Sequence, residues 1–342
     1  MAAREPKVPY YEQVANTLIE QLEAGTAPWQ KPWEPGTINL PHNPVSGTRY
    51  KGSNAMWLEM QGREDPRWMT YKQAQGVGAQ VRRGEKGTLV QYWKFNDQIP
   101  VKDERGKPLK DAEGNKVYRS VQLDKPKVFS AVVFNAEQID GLPTLESLFP
   151  KGAPDWDRHE RAESVLQASG VEIRHDQADR AFYRPATDRI HLPPKGQFDS
   201  ADKYLATALH ELAHASGHPK RLDRDLAHPF GSEGYAKEEL RAEIASLMIG
   251  DQLGIGHDPG QHAAYVKSWV KVLKEDPREI LRASRDADKI TAYVMDLEKE
   301  RAPSTIEELP QVERQSTPDV ARKALAEARR TLKGPTASDR ER

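Results

Sequence analysis

The chain has 342 residues, more than one ordinary core accommodates, so its length points to two domains and a tail. Its 37% hydrophobic and 30% charged residues include no apolar run near the roughly 20 residues that cross a bilayer, which excludes a helical membrane span, and the lack of cysteine excludes disulfides and thiolate metal ligands. With 51 basic against 52 acidic residues the net charge gives no reason to expect nucleic acid, and a start without an apolar secretory stretch leads us to expect a cytoplasmic protein.

In chain order, residues 10–24 (YYEQVANTLIEQLEA) put Val14, Leu18, Ile19 and Leu22 at helical spacing, with Gly25 where a helix would stop. From Pro28 to about Phe95 short segments alternate with Pro and Gly, and Trp29, Trp33, Trp57, Trp68 and Trp93 all fall there. Between Arg67 and Lys94 six basic residues face one acidic residue, interleaved with aromatic rings. That pairing suits single-stranded DNA, because cations neutralise phosphates and exposed rings stack on unpaired bases for about 1–3 kcal/mol each. The candidate contacts are Trp68, Tyr71, Lys72, Arg82, Arg83, Lys86 and Trp93. The competing reading is a small β domain whose rings form the core and whose lysines are merely solvated. Residues 102–116 read as a hairpin tip, and the apolar strand Val128–Phe134 is expected to close this first domain, set at 8–142.

Three prolines in residues 143–154 mark a linker, and a second domain is set at 155–301. It opens with an amphipathic helix stopped by Gly170, continues with strands near 171–173, 181–184 and 189–192, and ends in three or four helices. The predicted class is α+β. Residues 302–342 are too poor in apolar side chains to bury a core, so a disordered tail is expected.

Within SADKYLATALHELAHAS, residues 200–216, Leu205, Leu209, Leu212 and Ala213 form one stripe, and His210 and His214 project together from the helix with Glu211 beside them. Two imidazoles four residues apart can grip one zinc ion, and a catalytic site needs a third protein ligand and leaves a position for water. Glu211 is then the general base that takes that water's proton and passes it to the leaving amine. The third ligand is not a histidine at the spacing that some zinc peptidases use, since that position holds Lys220. A carboxylate is needed, and Glu239 and Glu243 lie one turn apart on the next helix, Tyr235–Leu253. Glu239 is assigned to the metal and Glu243 to the outer N–H of a ligand histidine. The reverse assignment stays open, because spacing fixes the face and not the depth. Zn2+ is the expected cofactor, with Mn2+ an alternative. Tyr183, and an edge strand at 188–192 that would hold an extended peptide, precede this helix; Tyr183 is a candidate for the substrate site and for an oxyanion contact.

Several strings resemble one family in order. LEAGTAPWQKPW, NPVSGTRYKGSNAMWL, PRWMTYKQAQGVGAQVRRGEKGT and VFNAEQIDGLP resemble the single-strand-DNA-binding domain of ArdC-type antirestriction proteins, which also occurs in plasmid primases of the TraC kind. FYRPATDRIHLP, HELAHASGHPKRL and FGSEGYAKEELRAEIASLMIG resemble the zincin-like metallopeptidase domain that follows it. The resemblance spans about residues 8–300. Trp29, Trp33, Tyr50, Asn54, Trp68, Tyr71, Lys72, Gln73, Arg83, Gly84 and Lys86 fall on the first pattern, and His210, Glu211, His214, Glu239 and Glu243 on the second. It implies a protein of conjugative plasmids or related mobile elements that binds incoming single-stranded DNA and protects it from host restriction. Two alternatives share the same motifs: a DNA-recruited protease that cuts a host protein, and a DNA-binding protein whose metal is only structural.

Overall fold

The structure, a computed structural model, describes residues 8–30, 35, 40–103, 105–111, 114–144, 155–257 and 264–300. The expected tail at 302–342, most of the expected linker, Trp33 and the side chain of Trp93 lie outside the described residues.

The predicted first helix, α1 (Tyr10–Ala24), buries Val14, Leu18, Ile19 and Leu22 along one face. Gly25 ends it in the left-handed region at φ 71°, returning its N–H to the carbonyls of Gln21 and Leu22. A second helix, α2 (Gly52–Glu59), precedes strand β1 (Trp68–Thr70) and the short α3 (Tyr71–Gly76), whose start is held by a reciprocal cap between Thr70 and Gln73. β2 (Gln80–Val81) leads into a long hairpin, β3 (Thr88–Pro100) and β4 (Tyr118–Asn135), paired antiparallel from Thr88 opposite Val133 to Pro100 opposite Tyr118. Isolated bridges Lys102–Pro108 and Lys110–Lys116 continue toward the expected tip. The first module does not close at Phe134, as the sequence suggested. A further strand, β5 (Ile139–Asp140), pairs back on β2, since Val81 and Ile139 bury side chains in one small cluster with Met69, Ala74 and Ala79.

The second half begins with α4 (Asp155–Ala168) and a three-stranded sheet of β6 (Glu172–Arg174), β7 (Phe182–Arg184) and β8 (Arg189–His191), in the order β6-β8-β7. Four helices follow among the described residues: α5 (Ala201–Ala215), α6 (Glu233–Leu253), α7 (Val266–Glu275) and α8 (Glu279–Glu300). The class is α+β, as predicted. None of the described helices is long and apolar enough to cross a membrane.

Although length suggests two domains, the apolar core runs without a break from Tyr10 and Trp29 through Leu209 and Leu247 to Val294. α1 and α2 pack on α7 and α8 rather than only on their own sheet. Polar contacts follow the same seam. Asp251, near the end of α6, accepts hydrogen bonds from the backbone N–H of Leu40 at 3.1 Å and from Arg49 at 2.5 Å, and Lys274 pairs with Glu23 at 3.0 Å.

The chain after α6 turns back tightly against that helix, where Ile255 N–H bonds the Gly250 carbonyl at 2.9 Å. A Cβ at Gly250 would lie 2.1 Å from the Gly256 carbonyl oxygen, a backbone atom that cannot swing aside. Overpacking of this kind costs about 1–3 kcal/mol. Gly250→Ala is therefore expected to lower the unfolding free energy by that amount, read as a lower urea midpoint with an unchanged slope; an unaltered midpoint would show that the turn yields freely.

Candidate metal centre and nucleic-acid face

Helix α5 starts at Ser200, whose Oγ accepts the Lys203 N–H at 3.2 Å, and α6 starts at Ser232, whose Oγ accepts the Tyr235 N–H at the same distance. Both caps suit the residue types, and both helices bury most of their length, so their facing sides meet in the core. The meeting brings together His210, His214 and Glu239, three groups whose donor atoms all lie within 4.8 Å of one another and could hold a metal ion. His210 Nε2 is 3.8 Å from one Glu239 oxygen and His214 Nε2 is 3.6 Å from the other.

The outer ring nitrogens point elsewhere. His210 Nδ1 lies 3.2 Å from Glu243 and His214 Nδ1 lies 3.4 Å from Glu238. Each imidazole thus has a carboxylate behind it, which favours the proton on Nδ1 and leaves Nε2 as a donor for a cation. Two imidazole nitrogens and one carboxylate are a donor set that divalent zinc or manganese accepts, so the residues fit such an ion. Glu238 is itself held by Arg224 at 2.6 Å, and Arg224 also donates to the Ala213 carbonyl and to Ser216.

Glu211 is buried beside the trio and receives the backbone N–H of Tyr183. Burial raises its pKa above that of an exposed carboxyl; His210 and His214 pull it down and Glu239 adds to the rise. A raised carboxyl pKa brings a general base closer to neutral working conditions. Burial alone would lower the pKa of His214, but the charge of Glu239 and the hydrogen bond with Glu238 overcome this and raise it well above the ordinary value. These groups line a cleft of about 260 Å³, together with Phe182, Tyr183, His228, Tyr235 and Tyr265.

Several sequence expectations need correction. The edge strand along the cleft is β7, not the segment at 188–192; β8 is the central strand, flanked by β6 and β7. The hydroxyl of Tyr183 is not aimed at an oxyanion. It donates to Asp188 at 2.8 Å and accepts from Arg221 at 3.2 Å, so only its backbone and ring face the site. The hydroxyls beside the trio belong to Tyr235, which hydrogen-bonds Glu239, and to Tyr265, 3.2 Å from that of Tyr235. Sequence reading passed over Tyr235, Tyr265, Glu238 and His257. Only Glu238 left a signal, as the second acid of a pair one position from Glu239.

The aromatic and basic segment divides between core and surface. Trp68 is 2% exposed, with its backbone N–H on the His42 carbonyl and its own carbonyl accepting from Tyr50, so this ring belongs to the core and, contrary to the sequence expectation, offers no face to DNA. Arg82 is committed to Glu85, Asp140 and the Glu137 carbonyl and ties its turn to β5. Tyr71, Lys72, Arg83 and Lys86 are exposed. The hairpin exposes Tyr92, one of the rings interleaved with the basic residues, and adds a ring that composition did not single out, Phe129, paired opposite it; the two are 47% and 52% exposed. On the other face of β4, exposed Val132 adjoins Phe134, which meets the Tyr71 ring at 6.5 Å. Gly87 is required there, since a Cβ would come within 2.4 Å of Val132.

Comparisons with known proteins match both halves. The family model described as the N-terminal domain of anti-restriction factor ArdC matches residues 9–129, and that of a zincin-like metallopeptidase matches residues 160–286. Two Escherichia coli proteins, each named DNA primase TraC, are 65% and 63% identical over 300 and 299 residues, 87% of this chain in each case. The chain spans only 28% and 20% of the length of those relatives. An uncharacterized protein y4eC of Sinorhizobium fredii (strain NBRC 101917 / NGR234) is 35% identical over 85% of this chain and 94% of its own length. Two crystal structures of the antirestriction ArdC protein from plasmid R388, one metal-free and one Mn(II)-bound, are 33% identical and superpose with TM-scores of 0.64 and 0.63, covering 85% of this chain and 98% of theirs.

Removing the Tyr183 hydroxyl tests its placement. Tyr183→Phe forfeits the bond to Asp188 and is expected to cost about 1 kcal/mol in urea denaturation while leaving the affinity for Mn(II) unchanged. A large loss of metal affinity without loss of stability would mean that the hydroxyl faces the cleft after all.

Proposed function

The chain belongs to the ArdC-type antirestriction family, and from that membership we propose that it binds single-stranded DNA through its first module and carries a metal-dependent peptidase centre in its second. The observation that carries the peptidase reading is the convergence of His210 Nε2, His214 Nε2 and one Glu239 carboxylate beside a buried Glu211. On this reading His210, His214 and Glu239 hold a divalent ion, zinc or manganese, while Glu243 and Glu238 orient the two rings. When bound, such an ion supplies Lewis acidity and makes water acidic near neutral pH.

The chain's own residues do the rest. β7 has β8 on one side only among the described strands, and Phe182 and Tyr183 line the cleft, so an extended peptide can lie along that edge with its carbonyl toward the trio. Glu211 accepts a proton from the attacking water and returns it to the amine nitrogen as the C–N bond breaks. Tyr235 and Tyr265 also line the cleft, where the Tyr235 hydroxyl hydrogen-bonds Glu239 and is itself met by that of Tyr265.

For DNA, exposed Tyr71, Tyr92 and Phe129 offer faces on which unpaired bases stack, and Lys72, Arg83 and Lys86 offer phosphate contacts. A strand held in this way is shielded from host restriction, the role proposed here for a plasmid or related mobile element.

Glu211→Ala is expected to bind Mn(II) like the parent protein in calorimetry and to cleave labelled casein at least about a hundredfold more slowly, the usual worth of a positioned base. Undiminished cleavage, or loss of the metal, would overturn the assignment. For the DNA face, the affinity of a labelled single-stranded oligonucleotide is measured by fluorescence anisotropy across a salt series. Arg83→Ala and Lys86→Ala should each weaken binding and flatten the log–log slope by about 0.7, the counterion release of one phosphate contact on a single strand. A slope identical to that of the parent would remove both residues from the interface.

A further inference from the structure

Trp29 belongs to the first module, on the single 3-10 turn Pro28–Gln30 that follows α1, and is fully buried. Two routes lead from it to the metal-site residues. The first runs through its backbone. The Trp29 carbonyl lies 3.1 Å from His257 Nε2, and because a carbonyl can only accept, that nitrogen carries the proton. The same Nε2 is 3.6 Å from Glu243 Oε2, and Glu243 Oε1 is 3.2 Å from His210 Nδ1. Carbonyl, imidazole, carboxylate and imidazole therefore follow one another from the first module to His210.

The second route runs through the ring. The Trp29 indole meets Trp269 edge-on at 5.9 Å and 90°. Trp269 Nε1 donates to the Ala236 carbonyl at 3.0 Å, in the turn of α6 that precedes Glu239, and its ring lies 5.9 Å from Tyr265. Tyr265 meets Tyr235, and Tyr235 hydrogen-bonds Glu239. Glu243 has no solvent exposure and His257 very little, so neither can exchange its partners for water.

We propose that His257 and Trp29 are positioning residues of the metal centre, so that the grip of His210 and Glu239 on an ion depends on the intact seam between the two modules. This rests on the metal-centre reading above. Through His257 the first module fixes the rotamer of Glu243 and with it the ring plane of His210; through Trp269 it braces the α6 turn that presents Glu239. Groups that orient metal ligands in this way typically contribute ten- to hundredfold in affinity.

The test uses the full chain and Zn2+ alone, with affinity read by competition against a chromophoric chelator and the stability of the metal-free protein read by urea denaturation. His257→Phe, which keeps the ring volume and loses the donor, is expected to bind Zn2+ about ten- to hundredfold more weakly. His257→Gln restores an N–H donor and should recover most of the loss, and Trp29→Leu should weaken binding in the same direction. A purely structural role would lower the urea midpoint and leave Zn2+ affinity unmoved. Parent-like affinity in His257→Phe and Trp29→Leu would overturn the proposal while leaving the metal centre standing; a parent protein that binds no Zn2+ would overturn the centre and this proposal together. If His257→Phe does not fold, His257→Gln compared with Trp29→Leu decides on the same criterion: Zn2+ affinity lost in Trp29→Leu and kept in His257→Gln supports the proposal, and affinity kept in both overturns it.

Discussion

Charge buried between two helices governs this structure. Glu211, Glu238, Glu239 and Glu243 are all buried where α5 faces α6, against His210 and His214. Taking a carboxylate out of water costs several kcal/mol unless partners restore what the solvent gave, and four in one interface would not be tolerated without them. Much of the surrounding architecture supplies those partners. Arg224 reaches in from the loop between the helices to Glu238, Tyr235 bonds Glu239, the Tyr183 N–H meets Glu211, and His257 faces Glu243. A bound cation would complete this compensation and give the cluster its chemical purpose.

The same constraint explains why the two halves share one core. His257 needs an acceptor for its proton, and the acceptor is a carbonyl of Trp29, 228 residues earlier in the chain. Asp251, at the far end of the helix that carries Glu239 and Glu243, is likewise met from the first module by Arg49 and Leu40. The first module therefore does more than sit beside the candidate metal site: it satisfies polar groups of the helix that carries Glu239 and Glu243. Its hairpin, by contrast, stands out with Tyr92, Phe129 and Val132 exposed, a surface that a buried role would not leave open.

How far the sequence can be read follows from these interactions. The pairs His210/His214 and Glu239/Glu243 are legible because a helix repeats every 3.6 residues and puts such neighbours on one face. The strands at 182–184 and 189–191 are legible from their apolar pattern, but not which of them forms the edge, since strand order is a tertiary fact. Composition marks the aromatic segment without telling Trp68, buried in the core, from Tyr92, which is exposed. His257 could not be read at all: a lone loop histidine acquires meaning only when Trp29 and Glu243 arrive from elsewhere. Tyr183 drew attention by its place before the helix of His210 and His214, while the hydroxyls beside the trio come from Tyr235, in the first turn of α6, and Tyr265, just before α7.

The most direct measurement is anomalous diffraction from crystals of the full chain grown with Zn2+, recorded above and below the zinc edge. One strong peak is expected between α5 and α6, about 2.0–2.2 Å from His210 Nε2, His214 Nε2 and a Glu239 oxygen, with Glu243 turned to the far side of His210. A peak ligated by Glu243 in place of Glu239, or none between the two helices at saturating zinc, would contradict that expectation.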